Sequence, residues 1–251
     1  MSKLIGKVAV VTGGSRDIGR AISVKLAKEG AKVVVNYYNS ESKAQATVDK
    51  IESMGGQAIA VKADVSKLAD IAYLKTKTME AFGNNVDILV NNAGGLFARK
   101  TLTEFDEAFY NLVMDVNFKS VVFMMQAFET LMSKGGAIVN LSSQAARDGG
   151  GGGSSLYASS KGAVSTFTKA MAKELGPKGI RVNALCPGLI GTKFHDDFTK
   201  DEIREKVAGA TPLRREGQAK EVADLVAYLA SDEASFITGN NVDINGGLAF
   251  S

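Results

Sequence analysis

The 251-residue chain has one cysteine, one histidine and three prolines. A lone thiol, Cys186, excludes an intrachain disulfide, and a single histidine, His195, with no Cys-x-x-Cys spacing leaves no pattern for a structural zinc site, so no metal is expected. Few prolines, and no Pro/Ser-rich linker, charge block or internal repeat, argue for one continuous domain over 1–251. Long hydrophobic runs are absent too. The apolar stretch Val121 to Met125 is far too short to span a bilayer, and Met1 to Thr12 lacks the apolar core and cleavage site of a signal peptide, so the expected location is the cytoplasm. An excess of charge of one sign is also missing. The 30 basic and 27 acidic residues give a net +3, too little for a nucleic-acid partner, although an anionic small molecule fits.

What is present is the composition of an ordinary globular enzyme, 45% hydrophobic and 23% charged. The first forty residues read as strand, helix, strand. Lys7 to Thr12 and Lys32 to Tyr37 are β-branched and apolar; between them, over Arg16 to Glu29, Ile18, Ile22 and Leu26 form a stripe at helical spacing that Gly30 can end. The alternation continues with helices near Ser40 to Met54 and Lys67 to Phe82, each followed by a strand, at Gln57 to Val61 and Val86 to Val90. Helices over Thr103 to Asp115 and Phe118 to Ser133 precede a strand at Ala137 to Leu141. A helix over Ser155 to Leu175, a strand at Arg181 to Leu185, a helix over Ala219 to Ala230 and a strand at Asn241 to Ile244 complete the series. Alternation of this kind predicts an α/β fold, a Rossmann-type doubly wound parallel sheet with helices on both faces. Two segments break the rhythm, the glycine run Gly149 to Gly153 and the polar stretch Gly191 to Gly217. The second carries Phe194 and Phe198 among charges, as a flap over a substrate would.

Two local patterns carry chemistry. Thr12-Gly13-Gly14-Ser15-Arg16-Asp17-Ile18-Gly19 joins the first strand to the first helix, where a parallel sheet sets phosphates against a helix N-terminus. Tyr157 and Lys161, four apart, share a helix face; an ammonium beside a phenol, which ordinarily titrates near ~10, is expected to lower its pKa and make a usable acid.

Together these residues resemble the short-chain dehydrogenase/reductase superfamily over nearly the whole chain, in its 3-oxoacyl-[acyl-carrier-protein] reductase-like or sugar dehydrogenase-like members. The resemblance implies hydride transfer between a nicotinamide cofactor and a ketone or secondary alcohol. Tyr157 would be the acid, Lys161 its tuner and a ribose contact, Ser143 the donor to the substrate oxygen, and Asn117 the anchor of a water that reprotonates Lys161. It also implies cofactor contacts from Gly13, Ser15, Arg16, Asp17, Ile18 and Gly19, from Asn36 and Tyr37, from Asp64 and Val65, from Asn91, Ala93 and Gly94, and from Pro187, Gly188, Ile190 and Thr192.

Two departures stand out. Asp17 replaces the middle glycine of the motif and is read as tolerating the turn and capping the helix. Ser143 precedes Tyr157 by one residue more than is usual, which places an insertion in the glycine run and leaves Ser142 as the rival serine. Asn36, seventeen residues after Gly19, offers no carboxylate against a 2′-phosphate, and Arg16 can hold one, so NADP(H) is preferred with NAD(H) accommodated. The carbonyl substrate is either a 3-oxoacyl thioester on acyl carrier protein, docked at Lys134 and Lys178, or a sugar or uronate met by Arg99, Arg147 or Arg214. A catalytically silent, redox-sensing NADP-binding regulator is the alternative from another class. An enoyl reductase is disfavoured by the close Tyr–Lys spacing. Cys186 reads as a small buried hydrophobe and His195 as a surface residue or occasional substrate contact. The C-terminal segment resembles the family's intersubunit tail and implies a homotetramer.

Overall fold

A computed structural model describes residues 2–250. Seven strands, β1 (Val8–Val11), β2 (Lys32–Tyr37), β3 (Gln57–Lys62), β4 (Ile88–Asn91), β5 (Ala137–Leu141), β6 (Arg181–Pro187) and β7 (Asn241–Ile244), form one sheet in the order β3-β2-β1-β4-β5-β6-β7. Every pairing is parallel. Parallel strands need crossovers, and those here are α1 (Asp17–Lys28), α2 (Glu41–Glu52), α3 (Leu68–Phe82), α4 (Glu107–Met114), α5 (Ser120–Glu129), α6 (Ala145–Asp148), α7 (Ser155–Leu175), α8 (Lys193–Phe198), α9 (Asp201–Ala210) and α10 (Ala219–Ala230).

The strands read as apolar runs because both faces are covered. On one face Ala9, Val11, Val33 and Val35 pack with Ile22 and Leu26 of α1, Val48 and Ile51 of α2, and Val222 and Val226 of α10. On the other, Val8, Val10 and Val34 pack with Leu74 of α3, Met124 and Phe128 of α5, and Val164 of α7. The stripe expected on α1 is this buried face. The doubly wound architecture is therefore as anticipated, and the strand order reverses between β1 and β4, where a crevice opens at the carboxyl ends of the strands.

Two details differ from the sequence expectation. The helices placed on either side of residues 116–117 form one continuous helical path, because a π-turn over Asp115–Lys119 links α4 to α5. Such a turn inserts an extra residue and re-aims a side chain, here that of the fully buried Asn117. The polar stretch 191–217 is also more ordered than a loop, consisting largely of α8 and α9.

Candidate active site

A cleft of about 770 Å³ lies over the switch point, within the range of small-molecule and cofactor sites. The turn after β1 forms one end. A Cβ on Gly19 would lie 2.0 Å from the Gly13 carbonyl oxygen, so α1 can press onto the turn only with glycine there, and Gly13 itself has φ +61°. The turn is tied across the sheet. The Thr12 hydroxyl accepts from the amides of Asn92 (2.9 Å) and Ala93 (3.0 Å), while Asn92 Nδ2 donates to the carbonyls of Thr12 (2.9 Å) and Gly13 (3.2 Å). A closed backbone cradle at a helix N-terminus, in a cleft this long, fits a dinucleotide.

Of the expected cofactor contacts, Gly13, Ser15, Arg16, Asp17, Ile18, Gly19, Tyr37, Ala93, Gly94, Pro187, Gly188, Ile190 and Thr192 line this cleft. Four do not. Asn36 is buried and braces the turn from behind, accepting from the Gly13 amide (3.2 Å) and donating to the Ala63 carbonyl (3.0 Å). Asn91 points into the sheet and donates to Asn140 Oδ1 (2.8 Å), and its neighbour Asn92 faces the cleft instead. Asp64 turns onto Ser66, accepting from its amide and hydroxyl, and Val65 is buried in the core. The loop after β2 supplies Tyr38, Asn39 and Ser40, and the first turn of α2 supplies Lys43, all of which the sequence reading missed. Their position at the carboxyl end of a strand was the available signal.

Asp17 has a left-handed backbone conformation of the kind glycine favours, with φ +50°, which aspartate tolerates better than most residues. The expected capping is not found. Arg16 holds the N-cap position of α1, no side chain caps it, and the Asp17 carboxylate turns outward. Its Oδ1 accepts from the Lys193 amide at the start of α8 (3.3 Å), and its Oδ2 lies 3.3 Å from Arg16 Nη1.

The other end of the cleft gathers Ser143, Tyr157 and Lys161. Tyr157 sits in the first turn of α7 and Lys161 one turn later, with Nζ 5.9 Å from the Tyr157 ring centroid. Lys161 is only 4% exposed, and its ammonium donates to the Leu141 carbonyl (2.7 Å) with no carboxylate paired to it among the described residues. Burial lowers it to about 8. Burial raises the Tyr157 phenol above its ordinary value, and a hydrogen bond with Ser143 opposes that rise. The expected lowering of Tyr157 by Lys161 is therefore not what governs the phenol, because both groups are desolvated together.

The two serines separate cleanly. Ser142 is buried, donating to the Lys161 carbonyl (2.8 Å) and meeting Ser165 Oγ (2.7 Å), whereas Ser143 faces the cleft. The π-turn brings Asn117 beside Lys161. A Cβ on Gly94 would lie 2.7 Å from Asn117 Oδ1 and 3.0 Å from Lys161 Nζ. Both ends of the Asn117 side chain engage Gly95, accepting from its amide (2.8 Å) and donating to its carbonyl (2.9 Å), which leaves one Oδ1 lone pair and one Nδ2 hydrogen beside Lys161.

Helix α8 covers this end. The Phe194 ring lies 5.9 Å from that of Tyr157 and 5.4 Å from that of Phe198. His195 lines the cleft, half-buried, with Nδ1 3.0 Å from Thr199 Oγ1, and burial pushes its pKa down to about 4. Cys186 is fully buried, and its thiol is pushed up.

A family model described as enoyl-(acyl carrier protein) reductase matches residues 13–249. An uncharacterized oxidoreductase of Methylorubrum extorquens is 41% identical over 99% of this chain and 100% of its own length. The 3-oxoacyl-[acyl-carrier-protein] reductase FabG of Staphylococcus aureus is 39% identical over 96% of this chain and 98% of its own. Among solved structures, a short-chain dehydrogenase from Burkholderia cenocepacia in complex with NADP superposes with a TM-score of 0.90 at 36% identity, covering 98% of this chain and 99% of that one. An NADH-dependent reductase A1-R′ responsible for alginate metabolism superposes with a TM-score of 0.91 at 32% identity over the whole of both chains. The chain belongs to the short-chain dehydrogenase/reductase family.

As a short-chain dehydrogenase/reductase it is an oxidoreductase. Lys134 precedes β5 and Lys178 precedes β6, so both lie at the amino ends of the strands, opposite the cleft, and Lys178 is paired with Glu129. Arg147 is held by Asp243 and the Asn241 carbonyl, and Arg214 bonds the Gly209 carbonyl; neither lines the cleft. Arg99 does. Among the described residues no helix is long and apolar enough to cross a membrane, and no three His, Cys, Asp or Glu side chains group as metal ligands.

Proposed function

We propose that the protein is an NADP(H)-dependent oxidoreductase interconverting a ketone and a secondary alcohol on a small polar substrate. The observation that carries this reading is the convergence of Tyr157, Ser143 and Lys161 on the cleft that begins at the glycine turn. Gly13, Ser15, Ile18 and Gly19 would hold the pyrophosphate, and Arg16 with Lys43 the 2′-phosphate, at the end of the cleft where no carboxylate other than Asp17 stands. Bound there, the nicotinamide supplies the hydride for reduction and accepts it for oxidation.

The residues perform the proton chemistry. Tyr157, kept protonated by its burial, gives its phenolic proton to the carbonyl oxygen as that oxygen becomes a hydroxyl. The Ser143 hydroxyl donates to the same oxygen and stabilises the developing charge. Lys161, at about 8, is mostly charged at neutral pH, so it stabilises the phenolate left behind and can itself return a proton. Asn117 fixes Gly95 and the backbone beside Lys161, a positioning part.

A 3-oxoacyl thioester is the second reading, favoured by the likeness to a 3-oxoacyl-[acyl-carrier-protein] reductase. Lys134 and Lys178 do not support it, since a carrier docked on them would stand at the far end of the sheet. For the assembly, the fully exposed Phe236 just before β7 supports a homotetramer packed along that edge, which light scattering would test. The function is tested by following NADPH oxidation with uronate-derived ketones, simple keto acids, sugar ketones and 3-oxoacyl thioesters. Turnover with tight NADPH binding is expected for a polar ketone. Tight binding with no turnover of any of them would favour a silent regulator.

A further inference from the structure

Arg99 is the arginine that lines the cleft without a carboxylate partner among the described residues; Arg20, Arg181 and Arg214 also have none there but lie outside the cleft. Arg16, Arg147, Arg204 and Arg215 each lie within 4 Å of a carboxylate. Arg99 pairs with none among the described residues, although it lines the active-site cleft. Its Nε donates to the Phe198 carbonyl at the end of α8 (3.0 Å), and Nη1 donates to the Gly152 carbonyl in the glycine run (2.8 Å). A guanidinium has five N–H donors, so three remain. Two neutral carbonyls orient the group without cancelling its charge.

The glycine run is shaped around this side chain. A Cβ on Gly151 would lie 3.2 Å from Arg99 Nη1, and one on Gly153 would lie 3.0 Å from both Arg99 Cβ and the Lys100 amide nitrogen. Gly149, Gly150 and Gly153 all have positive φ. At Gly151 and Gly153 glycine thus lets the loop close against the arginine.

The position relative to the chemistry follows from the rings of α8. Tyr157 faces Phe194, Phe194 faces Phe198, and Phe198 presents its carbonyl to Arg99. Arg99 therefore stands on the substrate side, one short helix away from the phenol. The other cleft cations are committed elsewhere: Arg16 and Lys43 flank the glycine turn, Lys193 pairs with Asp197, and Lys161 is buried at the phenol. His195, neutral at physiological pH, adds no second positive charge beside Arg99.

We propose that Arg99 is the receptor for a carboxylate on the substrate, so that the enzyme selects ketones bearing a carboxylate at a distance from the reacting carbonyl, the chemistry of uronate-derived keto acids and other oxo acids. This rests on the ketone-reductase reading. A carboxylate entering the cleft meets an oriented guanidinium with open donors, and by bridging to it joins the glycine run and α8 across the bound substrate. An Arg–carboxylate contact of this kind is worth roughly tenfold or more in affinity.

The test compares 4-oxopentanoate, 5-oxohexanoate and 6-oxoheptanoate, each with its methyl ester, in the wild type, Arg99→Gln and Arg99→Lys. In the wild type the KM of at least one acid should be about tenfold or more below that of its ester. Arg99→Gln should abolish this acid-over-ester ratio and Arg99→Lys should restore part of it. A merely structural part in holding α8 would shift acid and ester alike and leave the ratio unchanged, and that result, or a wild type indifferent to the carboxylate, overturns the proposal. Titration calorimetry of the same acids and esters into the NADP+-loaded protein gives a readout independent of turnover. If no ketone reacts, the ketone-reductase reading fails, and preferential binding of the acids that disappears in Arg99→Gln would still support the receptor. Equal binding of acids and esters would reject it.

Discussion

Lys161 should cost the fold stability at neutral pH, and replacing it with methionine should give a more stable, inactive protein. The side chain is 4% exposed and, among the described residues, its ammonium has one hydrogen-bond partner, the Leu141 carbonyl, and no opposing carboxylate. Its pKa is about 8 in the fold against an ordinary value near ~10.4 in the unfolded chain, and at ~1.4 kcal/mol per pKa unit this difference is roughly 3 kcal/mol. The sign follows from proton counts. Between the folded and unfolded pKa values the unfolded chain binds more protons, so stability rises with pH through that window, and below it the whole deficit is present. Methionine fills a similar volume without charge but leaves the Leu141 carbonyl without its donor, a loss of about 1–2 kcal/mol. The net gain at neutral pH is about 1–2 kcal/mol, or roughly 3–6 °C in Tm for a chain of this length. The assay is thermal and urea unfolding of both proteins without cofactor at about pH 7 and about pH 9.5. By the higher pH the wild type should have recovered roughly 2 kcal/mol and the advantage should vanish. A variant less stable than wild type at neutral pH, or a gap that does not close as pH rises, refutes the reasoning.

Asp17→Gly should remove the contact with the Lys193 amide and speed tryptic cleavage within 193–206 in the cofactor-free protein, whereas Asp17→Asn, which keeps an acceptor and tolerates φ +50°, should protect the segment nearly as well as wild type. Equal cleavage of all three proteins would deny Asp17 any part in seating α8. Arg16→Ala should raise the apparent KM for NADPH about tenfold or more while changing that for NADH little, as steady-state kinetics with the two cofactors would reveal; equal effects would place Arg16 outside the 2′-phosphate site. Ser143→Ala should lower kcat by roughly a hundredfold. Ser142→Ala should mainly reduce stability, by about 1 kcal/mol, because Ser142 serves the Lys161 carbonyl and Ser165; the reverse ranking of kcat would reassign the serine.

The periodicities that build the sheet and its covering helices were legible because a strand buried on both faces is apolar throughout, and a helix packed on such a sheet must carry a stripe at 3.6-residue spacing. Side-chain direction was less legible. Asn91 and Asn92 are adjacent in sequence, yet one bonds Asn140 within the sheet and the other ties the glycine turn, a difference of strand parity at the end of β4 that a motif does not carry. Asn36 was lost in the same way. It lies at a strand end that in related folds meets the ribose, but its amide group is taken up behind the turn by Gly13 and Ala63, and the residues after it face the cleft. The π-turn was hidden because both its flanks are strongly helical, so the pattern registers only a break near Asn117.

Electrostatics of the Tyr157–Lys161 pair were the least legible, and the reason bears on the proposed proton chemistry. Spacing places an ammonium beside a phenol, but it does not say how much water either group keeps. Here neither keeps much: the phenol rises above its ordinary value and the ammonium falls to about 8, so two pKa values that lie close together in water move apart. The ammonium is thereby the stronger acid of the two, so its proton passes downhill to a phenolate, which suits a site whose phenol must be reprotonated after it has given its proton in reduction. The same burial gives Lys161 its cost to the fold. The stabilising effect of Lys161→Met and its loss of activity thus come from one cause, and an enzyme in which the two effects were separable would not have its acid tuned by burial.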